Sequence, residues 1–375
     1  MFSRRQLLNR SAYLPLLAVL PSCTKPHVVV KPNILVGGGQ FSDPDGKHFV
    51  ISTVKYDQLK LNLCPVDFLP HGFHRKPIQK NVMAVFEKKG PGAVIFDIDE
   101  NKVIHKLSPE KGRFFYGHGA YTADSKELLS TETILDSREG VIGVRDGGDL
   151  SYLGEFPSYG QEPHECKLID SGKTLVVTNG GGPLGGSAPC VTYIDVASQR
   201  LLERIELSNK NLNTGHFAIS EQGDLVVVSA PRAGLGDKFV GGVSIRKPGG
   251  VLETRQEPAV VAGRMYGEAL SVAIHDKQGI AVATHPDGDM LTFWSLDDGS
   301  LLRLIELDRP RGVTLSVDNS EFIVTYGAQA SVARIPVSSL MLDSSSVLNA
   351  SYLTGSHVYN WSRAMLELGY PGPLI

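Results

Sequence analysis

A short strand, a Gly-containing turn and a second strand ending in small residues recur along this chain, and that repeat limits its fold more than any other feature. It reads most clearly in QEPHECKLIDSGKTLVVTNGGG, from Gln161 to Gly182, and again in GHGAYTADSKELLST from Gly117 and GHFAISEQGDLVVVSA from Gly215. A unit of this size buries its apolar face only against another copy, so repetition implies a stacked or circular array. A third strand and turn follow in AVIFDIDENK, CVTYIDVASQ and LTFWSLDDGS, and each leads into an apolar fourth strand: VIHKLS, RLLERIEL or SLLRLIEL. Each unit is therefore a four-stranded antiparallel meander, the blade of a β-propeller.

Inner strands fall near His71, His118, His164, His216, Ser271 and Gly312, which accounts for six blades. The seventh is divided between the ends of the chain. ILVGGG, from Ile34, reads like LVVTNGGG, a second strand with no first, and Gly355-Ser356-His357-Val358-Tyr359 supplies the missing one. The predicted fold is an all-β, seven-bladed β-propeller over residues 33–363, closed by pairing N- and C-terminal strands in one blade, with a tail at 364–375. Closure of this kind removes the free edges of an open ring. The 40 glycines and 22 prolines suit many turns between strands of four to seven residues. A formal net charge of −3 argues against a nucleic-acid partner.

Residues 1–23 read as an address rather than as structure. Ser3-Arg4-Arg5-Gln6-Leu7-Leu8 precedes the apolar run Tyr13–Leu20, which is too short to span a bilayer and resembles a twin-arginine export signal. The expected location is the periplasm. Leu20-Pro21-Ser22-Cys23 resembles a lipoprotein processing site, and a lipidated Cys23 would be the sole membrane attachment. Cys64, Cys166 and Cys190 then remain, enough for one disulfide in an oxidising compartment.

The blade grammar is similar to that of the YVTN and quinoprotein-amine-dehydrogenase β-chain-like propellers. More specifically, RFFYGHGAYTADSKELLSTET, REGVIGVRD and EFPSYGQEPHECKLIDSGKTLVVTNGG resemble domain-of-unknown-function family 1513, in the expected order. The resemblance covers nearly all of the chain beyond residue 33. It implies an exported bacterial propeller associated with imelysin-type proteins and other parts of iron acquisition. The sequence departs from that family after Gly182, where only PLGGSAP stands in place of a longer polar insertion.

His71, His118, His164, His216 and His357 occupy similar places in five of the seven repeats, which would gather them toward one mouth of the central channel. Neutral imidazole suits Zn, Cu, Fe and Ni, so a subset could hold a metal, with iron, copper or haem as the candidate occupants. Gly-His pairs at blade starts also serve packing alone in other propellers, through hydrogen bonds inside their own blade. Glu162 and Glu165 flank His164 and could fix its tautomer. Glu132, Arg138, Glu268 and Arg311 are candidates for the same mouth, and Tyr116 is either a ligand-stacking ring or core. Asn179 to Gly182 is either a strand-ending turn or a backbone concavity for an anion. Regular alternation would put Cys166 on the same side as His164, as a soft ligand or a buried hydrophobe. The chain has no Cys-x-x-Cys-His, Gly-x-Ser-x-Gly or His-Glu-x-x-His motif. The functional expectation is a metal- or ligand-binding accessory protein in iron acquisition. Its alternatives are a metal-dependent oxidoreductase or hydrolase, and a protein–protein scaffold.

Overall fold

The computed structural model describes residues 32–235 and 239–367; the twin-arginine segment and Cys23 lie outside them. Their strands form seven four-stranded antiparallel sheets, each a meander in chain order apart from the closing one. Blade one takes Ile34–Asp43, Gly46–Lys55 and Lys60–Val66 from the N-terminal side and Val358–Asn360 from the C-terminal side. Blades two to seven begin at Pro70, Arg113, Pro163, Phe217, Val272 and Val313. First strands of neighbouring blades touch one another, so they line the axis of a ring. The seven-bladed propeller expected from the repeat is the observed fold.

Strand alternation explains how the ring is held. Along Val82–Glu87, residues Val82, Ala84 and Phe86 pack on Phe115 and Leu128 of blade three. The intervening Met83 and Val85 pack on Val36 and Ile51 of blade one. Period-two side chains thus serve both faces of each blade. The same division makes seven apolar wedges, one at each junction between consecutive blades. Fourth strands such as Leu201–Glu206 are mostly exposed and carry the polar outer surface.

Closure follows the expected pairing, with Leu35, Val36 and Gly37 opposite Asn360, Tyr359 and Val358. A buried clasp reinforces it. The Asn360 side-chain amide donates to Asn33 Oδ1 at 2.7 Å and to the Leu315 carbonyl at 3.0 Å. The Val317 amide donates to the same Asn33 oxygen at 3.0 Å, so blade seven is tied in as well. The chain then forms a helix, Trp361–Glu367, whose Trp361 and Met365 enter the wedge between blades one and two. Its first turn belongs to the propeller core, and the boundary expected at 363 falls inside it. Cys64, Cys166 and Cys190 are buried and unpaired.

Candidate metal centre

Three first strands break register at their histidine. In blade two Pro70 faces Glu87 while Gly72 faces Phe86, which leaves His71 as an extra residue. Similar irregularities fall between Phe115 and Gly119, around His118, and between Pro163 and Cys166, around His164. A β-bulge bends its strand and re-aims the side chain. His216 and His357 lie immediately before the first strands Phe217–Ile219 and Val358–Asn360. The five rings meet on the axis. Centroid separations are 4.1 Å for His216–His357, 4.5 Å for His164–His216, 4.9 Å for His71–His118 and 5.0 Å for His118–His357. None of the five is more than 9% exposed. The arrangement is a buried plug across the channel rather than a ring around an open mouth. With the rings in mutual contact, a haem macrocycle has no gap to occupy among them.

Glycine makes the approach feasible. A Cβ on Gly72 would lie 2.2 Å from the Gly117 carbonyl oxygen, and one on Gly117 would lie 2.8 Å from His71 Cδ2. Gly117 also has φ +113, a conformation that favours glycine.

The hydrogen bonds fix where the lone pairs point. His164 Nδ1 lies 2.9 Å from the Tyr116 carbonyl, and His216 Nδ1 bonds the Leu270 carbonyl. A carbonyl only accepts, so both Nδ1 atoms carry protons and both Nε2 atoms present lone pairs. Those two Nε2 atoms nevertheless stand 2.8 Å apart, with His71 Nε2 only 3.1 Å from that of His216. Facing lone pairs at this separation repel unless an electrophile sits between them. A proton is a poor candidate. Burial first, then the Lys88 charge, pushes the His164 pKa down to about 3. Burial first and neighbouring imidazoles second hold His71, His118, His216 and His357 well below the usual histidine range. A metal ion fits the spacing. Two nitrogens bound to one ion at about 2.0–2.1 Å are about 2.8–3.4 Å apart when they subtend about 90–110°. Ligand atoms of His71, His118, His164 and His216 all lie within 4.8 Å of one another. Both His118 nitrogens and His357 Nε2 are buried with no hydrogen-bond partner, which calls for an explanation in a folded protein.

The flanking candidates separate into distinct places. Thr131 Oγ1 accepts from the His118 amide at 3.3 Å, and Thr178 Oγ1 accepts from the Glu165 amide at 3.0 Å. Thr284 and Thr325 do the same for Ser271 and Gly312 at 2.9 Å each. Glu165, not His164, therefore holds the His118 position in blade four, and His164 reaches the axis from one residue earlier. The Glu165 carboxylate accepts from the Phe217 amide at 2.7 Å and pairs with Lys167 at 3.0 Å. Glu162 accepts from the Tyr116 hydroxyl at 2.9 Å and pairs with Arg138 at 2.8 Å. Neither glutamate hydrogen-bonds an imidazole; the carbonyls of Tyr116 and Leu270 orient the rings instead.

Glu132 lies inside blade three, paired with Arg145 at 2.8 Å, and Arg311 donates to the Gly355 carbonyl at 3.2 Å. Asn179 is buried against Ser158 and Thr192. The Gly181 and Gly182 carbonyls face Arg232, so this loop spends its backbone on a cation rather than cupping an anion. The bulge at Pro163–Cys166 cancels the alternation expected for Cys166. Its thiol packs with Leu129, Ile142 and Val177, and burial pushes its pKa up.

Two side chains beside the plug escaped the sequence reading. His74 would face away from His71 on a regular strand, but the bulge brings its ring within 5.4 Å of His118, and its Nε2 accepts from the Gly119 amide. Lys88 pairs with Glu268 at 3.1 Å, joining blade two to blade six. Lys88 follows a second strand and Glu268 precedes a first strand, so both sit at the channel end where first strands begin. The short spacing His71-x-x-His74 was the available signal; nothing local marks Lys88.

A family model described as Protein of unknown function (DUF1513) matches residues 65–348. The chain belongs to this family. No curated protein matches it. Among solved structures, hydrazine synthase of Kuenenia stuttgartiensis is similar at a TM-score of 0.61 and 15% identity, covering 84% of this chain and 98% of that one. A chain of the mitotic checkpoint complex is similar at a TM-score of 0.54 and 12% identity, covering 75% of this chain and 79% of its own. At these identities the likeness concerns the fold alone. This DUF1513 propeller thus carries a buried histidine cluster with the chemistry of a metal site.

Proposed function

We propose that this DUF1513 protein binds a first-row transition metal ion at the histidine plug and acts as a metal-binding accessory protein in periplasmic iron acquisition. One observation carries the metal reading: carbonyl-fixed tautomers leave the Nε2 lone pairs of His164 and His216 facing each other at 2.8 Å. An all-imidazole set favours borderline ions, so ferrous iron, copper and zinc suit it better than ferric iron. The paired arginines at Arg4-Arg5 support export, and Cys23 supplies the site for a lipid anchor. The link to iron and to imelysin-type partners is supported by the family resemblance.

The test is metal uptake by the purified protein, by calorimetry and elemental analysis with ferrous, cupric and zinc ions. About one ion per chain is expected. His164→Ala and His216→Ala should each lower affinity at least about tenfold, while circular dichroism shows the propeller intact. Equal metal binding by wild type and both variants, or none by any of them, would remove the reading.

A further inference from the structure

We propose that the ion at the plug binds together with a small anionic co-ligand of the carboxylate or inorganic class, taken from the cavity on the helix side of the channel. This rests on the metal reading above and concerns what completes the site. Imidazoles are neutral, so a divalent ion held by them alone keeps its whole charge in a buried place. Uncompensated buried charge is costly. Among the described residues, the glutamates that flank His164 are engaged elsewhere: Glu165 is held by the Phe217 amide and Lys167, and Glu162 by Tyr116 and Arg138. On the mouth side Lys88 and Glu268 pair with each other from blade two to blade six, so the Glu268 carboxylate is spent as well. An anion from outside is the remaining way to balance the ion.

The structure provides a place for it. Beyond the plug the channel widens into a cavity of about 430 Å³, with His216 and His357 in its wall and Ala364 and Glu367 of the helix beside it. Lys167, its partner Glu165 and Tyr359 line the same space. The Tyr359 ring lies 5.7 Å from that of His357. A lysine ammonium has three N–H donors. Lys167 gives one to the Phe217 carbonyl at 2.6 Å and pairs with Glu165 at 3.0 Å, which leaves a third. The Tyr359 hydroxyl and this third N–H are donors beside a wall that contains two of the plug histidines. A metal-bound anion would accept from both. The cavity far exceeds the roughly 30 Å³ share of one water, so an ion of a few atoms fits with room to exchange.

The test loads the protein with cupric ion and then titrates azide, following the azide-to-copper charge-transfer absorption and the electron paramagnetic resonance signal. One azide per copper is expected. Tyr359→Phe and Lys167→Met should each weaken azide at least about tenfold, the scale of one hydrogen bond to a charged group, with copper stoichiometry unchanged. Tyr359→Phe removes a single oxygen and keeps the ring that packs 5.5 Å from Phe73, so a folding defect would not mask its result. Copper uptake without any azide response, or equal azide affinity in wild type and both variants, overturns the co-ligand alone. Failure to take up copper at all overturns the metal reading and this inference with it.

Discussion

His285 shows what a neutral buried imidazole does to stability outside the plug. It is fully buried in the second strand of blade six, with Nε2 2.8 Å from Thr292 Oγ1, and burial holds its pKa at about 3. In the unfolded chain the value is about 6.5. Between these values the unfolded state binds a proton that the native state does not, so stability falls as pH drops through this window. The contribution is complete above about pH 6.5 and is lost toward pH 3, at up to about 1.4 kcal/mol per pH unit. His285→Gln should flatten the dependence of urea stability on pH between 6.5 and 4.5 by about one proton in chelator-treated protein. An unchanged slope would show that His285 is charged in the native state. Legibility at this scale was uneven. All five histidines named from the repeat reach the axis, because the blade start is a local pattern. The one-residue offset of His164, the carbonyls that orient the rings and the Lys88–Glu268 pairing depend on bulge depth and on contacts between distant blades.

At the scale of elements, bulged first strands and their glycines place the imidazoles. Gly117 and Gly112 make a controlled comparison, since both have positive φ, +113 and +81, but only the first is crowded. A Cβ on Gly117 would meet His71 Cδ2 at 2.8 Å and His164 Cε1 at 3.4 Å, whereas one on Gly112 meets nothing within 4 Å. Gly112→Ala should cost about 1 kcal/mol of backbone strain and leave metal affinity unchanged. Gly117→Ala should cost about 2–4 kcal/mol and weaken metal binding, because either His71 or the strand must move. Thermal melts and competitive metal titrations read the two effects separately; equal metal affinity in both variants would detach the bulge from the site. Strands were largely legible from β-branched runs between turns. The fourth strand of blade three, Tyr152–Gln161, was not, since Gly154 at φ +149 and Pro157 interrupt the pattern. Bulges were invisible because register depends on the partner strand.

For the whole molecule, the decisive inference from sequence was ring closure: ILVGGG matched a second strand, so its partner had to come from the other end. What the pattern did not carry was the Asn33–Asn360 clasp, a contact between residues 327 apart in the chain. Asn360→Leu removes the donor to Asn33 and to the Leu315 carbonyl and leaves that carbonyl's buried acceptor unpaired. The expected loss is about 1–3 kcal/mol without metal. His357 lies three residues earlier on the same segment and packs against His216, so a bound ion would hold that segment to blade five independently of the clasp. A ligand that binds only the closed ring stabilises it by mass action, about 2.7 kcal/mol at a hundredfold excess over Kd. Copper should therefore raise the absolute stability of Asn360→Leu by more in the presence of His357 than in the Asn360→Leu/His357→Ala double variant, whose affinity for the ion is lower. The measurement is a double-mutant cycle in urea, run with copper and with chelator. A copper-induced gain of equal size in both backgrounds would place His357 outside the metal's ligand set and leave closure to the clasp and the strand pairing.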